Sequence, residues 1–139
     1  MLKSIIAAAA IGALSTSAFA APDTAKVQTE IPQSVVTVTD WYKQDVYDRN
    51  NTKIGQIMDV LVDKSGKIST LIVGVGGFLG AGQKDVAVPF EEVRATTKDN
   101  KVHLVMNATK DSLKSAPGFK YDRDSTTWVP DKDSNNNKK

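Results

Sequence analysis

Short runs rich in β-branched residues recur along the sequence, and each is followed by a turn signal. Such runs favour strands, and the asparagine, aspartate and glycine residues between them favour tight turns. The predicted strands are 46–48, 54–63, 68–75, 86–88 and 102–106, and the predicted turns are 49–52, 63–66 and 98–101. This succession predicts a β-meander with little helix.

Apolar side chains occur on both alternating faces of several of these runs. Within 54–63, one face carries Ile57 and Leu61 and the other carries Met58, Val60 and Val62. A strand in an open sheet with one wet face would be polar on one side. The pattern therefore predicts an all-β fold, a small and mostly antiparallel barrel.

The N-terminal 20 residues have the pattern of a secretory signal peptide. Lys3 precedes an apolar run, 5–14, and small residues stand at Ala18 and Ala20. We expect cleavage after Ala20, an extended leader over 21–36 and a periplasmic product. The alternative is an uncleaved segment that anchors the protein to a membrane, although the apolar run is shorter than the roughly 20 residues a spanning helix needs.

The C-terminal end of the chain predicts one short helix and a tail. Thr109 can cap a helix over 110–114, which Pro117 and Gly118 would end. We place the barrel domain at 37–119 and assign 120–139 to a C-terminal arm and a disordered tail. If Trp128 packs on the barrel, residues 119–130 form an ordered arm; otherwise they join the tail.

Composition argues against several kinds of site. The net charge is only +2 at pH 7, which gives no support for nucleic-acid binding, and the chain has no cysteine. His103 is the single histidine and alternates with apolar neighbours, so we expect it to face solvent. Metal coordination would have few ligands, and we expect no cofactor, no metal, no catalytic residue and no enzymatic activity.

Two further residue types have open interpretations. Asp59 lies between apolar neighbours in a predicted strand, where a buried carboxylate would need hydrogen bonds or a cation. The tryptophans Trp41 and Trp128 flank the predicted barrel and either cover its open ends or serve as contact residues.

The glycine-rich loop, defined here as residues 76–85, is the candidate site. Its candidate binding residues are Gly76, Gly77, Phe78, Leu79, Gly80, Lys84 and Asp85. A phosphate cradle does not fit, because such loops lead into a helix and place the lysine directly after a glycine. The loop is then either a bent barrel corner with Phe78 and Leu79 packed inward, or a partner-binding surface with both pointing outward.

The order of these residues resembles the PRC-barrel family. The resemblance rests on Val46-Tyr47-Asp48, Ile54-Gly55, Asp59, Asp63 with Gly66, Gly76-Gly77-Phe78-Leu79-Gly80 and Lys84 to Phe90. It covers about residues 41–119. The resemblance implies a small β-barrel that acts as an adaptor, with no catalytic residues to transfer.

Together these observations predict an exported, non-enzymatic binding protein of the cell envelope. We expect a protein partner at the glycine-rich loop and no nucleic acid, with self-association through edge strands left open. One alternative is a carrier that binds a small ligand or anion at the barrel mouth. The other is membrane association through an uncleaved N-terminal segment.

Overall fold

The computed structural model describes residues 25–76 and 82–135. The chain divides into two units, Met1–Gln33 and Ser34–Lys139. In the first unit, the described residues 25–33 contain neither helix nor strand and are exposed. The predicted signal peptide, 1–20, lies outside the described residues.

The second unit consists mainly of strands joined by short connections. Its strands are β1 (Asp45–Tyr47), β2 (Lys53–Val62), β3 (Ile68–Val75), β4 (Lys84–Pro89), β5 (Val93–Lys98), β6 (Lys101–Met106), β7 (Gly118–Asp122) and β8 (Thr127–Pro130). Its helices are α1 (Val38–Trp41), α2 (Lys110–Ser115) and α3 (Lys132–Asn135), with a 3-10 turn at Phe90–Glu92. The prediction of an all-β fold is confirmed, and α2 is the predicted capped helix, whereas α1 and α3 were not predicted.

Within the described residues, the eight strands form one sheet in the order β5-β6-β1-β2-β3-β4-β7-β8. β2, β3 and β4 are consecutive antiparallel neighbours, as predicted. The meander ends there, because the β5–β6 hairpin pairs with β1 at the far side, where Val46 and Leu104 are register partners in parallel strands. Every other strand pair is antiparallel among the described elements.

The hydrophobic core lies on one face of this curled sheet. Its buried members come from α1, α2 and strands β1 to β6: Trp41, Val46, Ile54, Ile57, Leu71, Val73, Val75, Val86, Val88, Val93, Leu104, Met106 and Leu113. Register explains the set, since Leu71 faces Val88 and Val73 faces Val86 across the β3–β4 pair. Residues directly opposite in a sheet point to the same side, so these pairs fill one interior.

The sheet continues beyond the predicted domain boundary at residue 119. That boundary falls inside β7, which pairs with β4 through Asp85 and Phe119 and forms a hairpin with β8. Ile72 is fully buried but lies outside the core cluster. Its register partners are Asp59 and Ala87, so it faces the side of the sheet opposite to the core.

Residues 131–135 of the predicted tail include the single helical turn α3. Asp131 donates its backbone N–H to the Gly118 carbonyl, which ties the start of this segment to β7. Residues 136–139 lie outside the described residues.

Candidate partner-binding site

The glycine-rich loop joins two central strands of the sheet. Val75 and Lys84 are the last register pair before the β3–β4 ladder opens into it. Gly76, Lys84 and Asp85 are described in the structure, whereas Gly77, Phe78, Leu79 and Gly80 lie outside the described residues. The structure therefore places the base of the loop.

Glycine is required at both ends of this base. Gly76 and Gly82 have φ angles of +79° and +70°, a region in which side chains with a Cβ are strained. A Cβ on Gly76 would also lie 3.2 Å from Cε of Lys114 in α2. The helix therefore packs closely against the point where the chain leaves β3.

Lys84 ties the loop to the same helix. Its Nζ donates a 3.0 Å hydrogen bond to the backbone carbonyl oxygen of Lys114, near the C-terminal end of α2. A cation is favourable there because the last carbonyls of a helix have no intrahelical donors. The Lys84 side chain also crosses Gly118, where a Cβ would lie 3.1 Å from its Cε.

Helix α2 is fixed in place by its cap and by one buried side chain. Thr109 Oγ1 accepts the backbone N–H of Ser112, while Ser112 Oγ accepts the backbone N–H of Thr109. This reciprocal capping box satisfies donors that the helix start leaves unpaired. Leu113 is buried in the core, so Lys114 is positioned beside Gly76.

Asp85 and Lys84 do not pair with each other. Successive residues of a strand point to opposite faces, and Asp85 accepts a 3.0 Å hydrogen bond from Nε2 of Gln83. The Gln83 amide lies over Gly74, where a Cβ would also come within 2.9 Å of Met58 Cγ. Lys84 and Asp85 therefore make their contacts on opposite faces of the sheet at the base of the loop.

Asp59 has the hydrogen bonds that its apolar setting requires. Its Oδ2 accepts a 2.7 Å bond from the indole Nε1 of Trp128, and its Oδ1 accepts the backbone N–H of Val60 at 2.8 Å. The ring of Trp128 meets Tyr121 edge to face, with centroids 5.9 Å apart. Trp128 therefore packs on the barrel, and residues 119–130 are an ordered arm, the first of the two alternatives.

Trp41 is a core residue. It is buried and stacks on Phe90, with centroids 5.0 Å apart. Its indole N–H has no hydrogen-bond partner among the described residues.

His103, which was expected to face solvent, is only partly exposed. Its ring is half-buried and stacks on Tyr47, with centroids 4.6 Å apart. Alternation within β6 did place it away from Leu104 and Met106, but the parallel neighbour β1 supplies Tyr47 to cover it. A pairing between strands so distant in sequence has no signature in the local pattern.

Two searches of the described residues gave negative results. No group of three or more histidine, cysteine, aspartate or glutamate side chains there is arranged to hold a metal ion. None of the helices described is both long and apolar enough to span a bilayer.

Comparison with protein families identifies a known domain in the segment that forms most of the sheet. The family model described as the PRC-barrel domain matches residues 34–113, which extends from the segment before α1 into α2. A search of curated proteins finds no match to the chain. The family match covers more than half of the chain and includes strands β1 to β6 and the glycine-rich loop, so the protein belongs to the PRC-barrel family.

Proposed function

We propose that this protein is an exported, non-enzymatic adaptor of the cell envelope that binds a partner protein through the glycine-rich loop. The observation that carries the proposal is the construction of the loop base. Lys84 donates a hydrogen bond to the Lys114 carbonyl, and Gly76 lies beside the Lys114 side chain, so both ends of the loop lie next to a helix that is itself anchored in the core.

A fixed base favours binding, because the residues at the base of the loop lose less conformational entropy when a partner binds. The loop carries Phe78 and Leu79 between glycines, a pair of apolar side chains of the kind that form the centre of protein interfaces. Membership of the PRC-barrel family, for which the resemblance implies an adaptor, supports a binding role over catalysis.

Export to the periplasm rests on the N-terminal sequence pattern. Determination of the N-terminus of the protein purified from its host tests this part of the proposal. A chain that begins at Ala21 in the periplasmic fraction is the expected result. A retained Met1 with the protein in the membrane fraction would instead support membrane association.

The binding site is tested by photo-crosslinking in living cells. A photoreactive amino acid at Leu79 is expected to give a discrete crosslinked partner. The same amino acid at Thr97 in β5 and at Lys64 in the β2–β3 turn provides exposed controls. Crosslinks of equal yield and identity at all three positions would contradict a role for the loop.

A further inference from the structure

A cleft away from the glycine-rich loop is lined by lysines and by hydrogen-bond donors suited to an anion. It has a volume of about 470 Å³, within the range of small-ligand sites. Its lining comes from the α1–β1 connection, β1, the β1–β2 turn and the β5–β6 hairpin: Gln44, Tyr47, Asn51, Lys98, Asp99, Lys101, Val102 and His103. A second hollow, of about 370 Å³, shares Gln44, Lys101 and Val102 with it.

Two of the residues that line this cleft are lysines on adjacent strands. Lys98 and Lys101 are register partners at the end of the β5–β6 hairpin. Like charges directly opposite each other destabilise a strand pair. Neither lysine has an ion-pair partner among the described residues. The hairpin therefore brings two lysines without ion-pair partners to the lining of one cleft.

The hairpin turn fixes the spacing of this pair. Asp99 and Asn100 both have positive φ angles, +51° and +60°, as a two-residue turn of the right twist requires. Asp99 also lines the cleft and supplies one carboxylate against the two ammonium groups. The lining thus keeps a net positive charge.

The wall of the cleft is preorganised by contacts behind it. Gln44 Nε2 donates a 3.0 Å hydrogen bond to the Val102 carbonyl, which ties the segment after α1 to β6. Tyr47 and His103 stack on each other and form a ring platform beside the lysines. Hydrogen-bond donors in the lining of a cleft favour a multiply charged anion as ligand. Charge-assisted hydrogen bonds to oxyanions are stronger than hydrogen bonds between neutral groups.

We propose that this cleft binds a small multivalent oxyanion, with Lys98 and Lys101 as its charged contacts and the Tyr47–His103 stack as its wall. Phosphate and carboxylate groups share the required chemistry. The inference stands independently of the partner proposed for the glycine-rich loop.

The single histidine provides a direct reporter of occupancy. The untagged protein is purified from cells in its mature form. It is then titrated at fixed pH and ionic strength, with pyrophosphate in one experiment and with citrate in another. The NMR resonances of the His103 ring protons are expected to shift saturably at millimolar anion concentration or below. A shift with pyrophosphate indicates a phosphate site, and a shift with citrate indicates a carboxylate site. Sodium chloride at matched ionic strength gives the screening baseline.

Two matched double variants distinguish anion binding at this cleft from a general effect of the protein's net charge. Lys98→Gln combined with Lys101→Gln is expected to raise the dissociation constant about tenfold or more. Lys64→Gln combined with Lys67→Gln removes the same charge from the exposed β2–β3 turn and is expected to leave it unchanged. Circular dichroism establishes that both variants are folded.

Three results would overturn the proposal. One is no saturable shift of His103 with either anion. Another is an equal loss of affinity in the two double variants. The third is unchanged affinity after both cleft lysines are replaced, which would leave them as charges that protect the edge strand β5 from pairing with other chains.

Discussion

Trp128 and Asp59 are 69 positions apart in sequence, yet the indole Nε1 of Trp128 donates a 2.7 Å hydrogen bond to Asp59 Oδ2. The bond connects β8, at the end of the sheet, to β2 near its middle. Ile72, the register partner of Asp59, is fully buried on the same side. The β7–β8 hairpin is thus part of the folded unit and extends it beyond the segment matched to the family.

Breaking this hydrogen bond should destabilise the whole unit. Trp128→Phe keeps an aromatic ring but removes the donor and leaves a half-buried carboxylate oxygen without it. We expect a loss of about 1–3 kcal/mol in the free energy of unfolding, measured by urea denaturation. A double-mutant cycle with Asp59→Ala should show coupling of about 1 kcal/mol or more. Additive effects would contradict an energetic role for the pair.

The contact between Lys84 and α2 should stabilise the loop base. Lys84→Met preserves most of the aliphatic side chain but removes the amine that donates to the Lys114 carbonyl. We expect a loss of about 0.5–1.5 kcal/mol, because the bond is charge-assisted but partly exposed to water. Lys120→Met, on an exposed position of β7, is the control and should cost less. Equal costs would mean that the hydrogen bond contributes nothing measurable.

The capping box of α2 gives a prediction with a conservative rescue. Thr109→Ala removes the side-chain acceptor for the Ser112 N–H and should cost about 0.5–2 kcal/mol. Thr109→Ser keeps the hydroxyl and should recover most of that stability. The measurement is thermal unfolding of the three proteins side by side. If serine is no better than alanine, the stabilising contact is the threonine methyl group and not the cap.

Two carboxylates in turns should make the stability of the fold sensitive to acid. The pKa of Asp63 is held below its ordinary value of 3.8, chiefly by the Ser65 hydroxyl and then by the Lys67 amide. Asp122 has a lowered pKa mainly because of the Ser125 hydroxyl. Both favour the folded state above the pKa of the unfolded chain, and this stabilisation is lost as the pH falls through the lowered, folded-state values.

Reciprocal variants test the causes of these shifts. Ser65→Ala should raise the pKa of Asp63 and leave Asp122 unchanged, whereas Ser125→Ala should do the reverse. Carboxyl carbon chemical shifts followed between neutral and strongly acidic pH give both values in one titration. A pKa of Asp63 that does not move in Ser65→Ala would show that the backbone amides alone hold the carboxylate.

The sequence predicted local structure better than long-range pairing. Thr109 and the residues after it carried enough information to locate α2, and the turn residues at 63–66 and 98–101 marked two hairpins. The parallel pairing of β1 with β6 has no local signal, because it depends on which edge is free once the other strands have paired. The stack of His103 on Tyr47 had no local signal for the same reason.

The candidate site was only partly predictable. The glycines indicated a tight loop between two strands, and the positive φ angles of Gly76 and Gly82 account for glycine at these two positions. The hydrogen bond from Lys84 to α2 joins residues 30 positions apart and could not be read from either segment alone. Asp59 did signal that a partner was needed, but nothing in the sequence singled out Trp128 as its donor.

Partner capture by the Phe78→Asp variant tests whether the glycine-rich loop binds a partner protein. The wild-type protein and the variant are expressed in the native host, the cells are crosslinked, and the captured proteins are compared alongside thermal unfolding of both purified chains. We expect that a partner captured by the wild type is lost in Phe78→Asp, while the melting temperature is nearly unchanged. An unchanged set of captured proteins, or a collapse in stability that places Phe78 in the core, would contradict it.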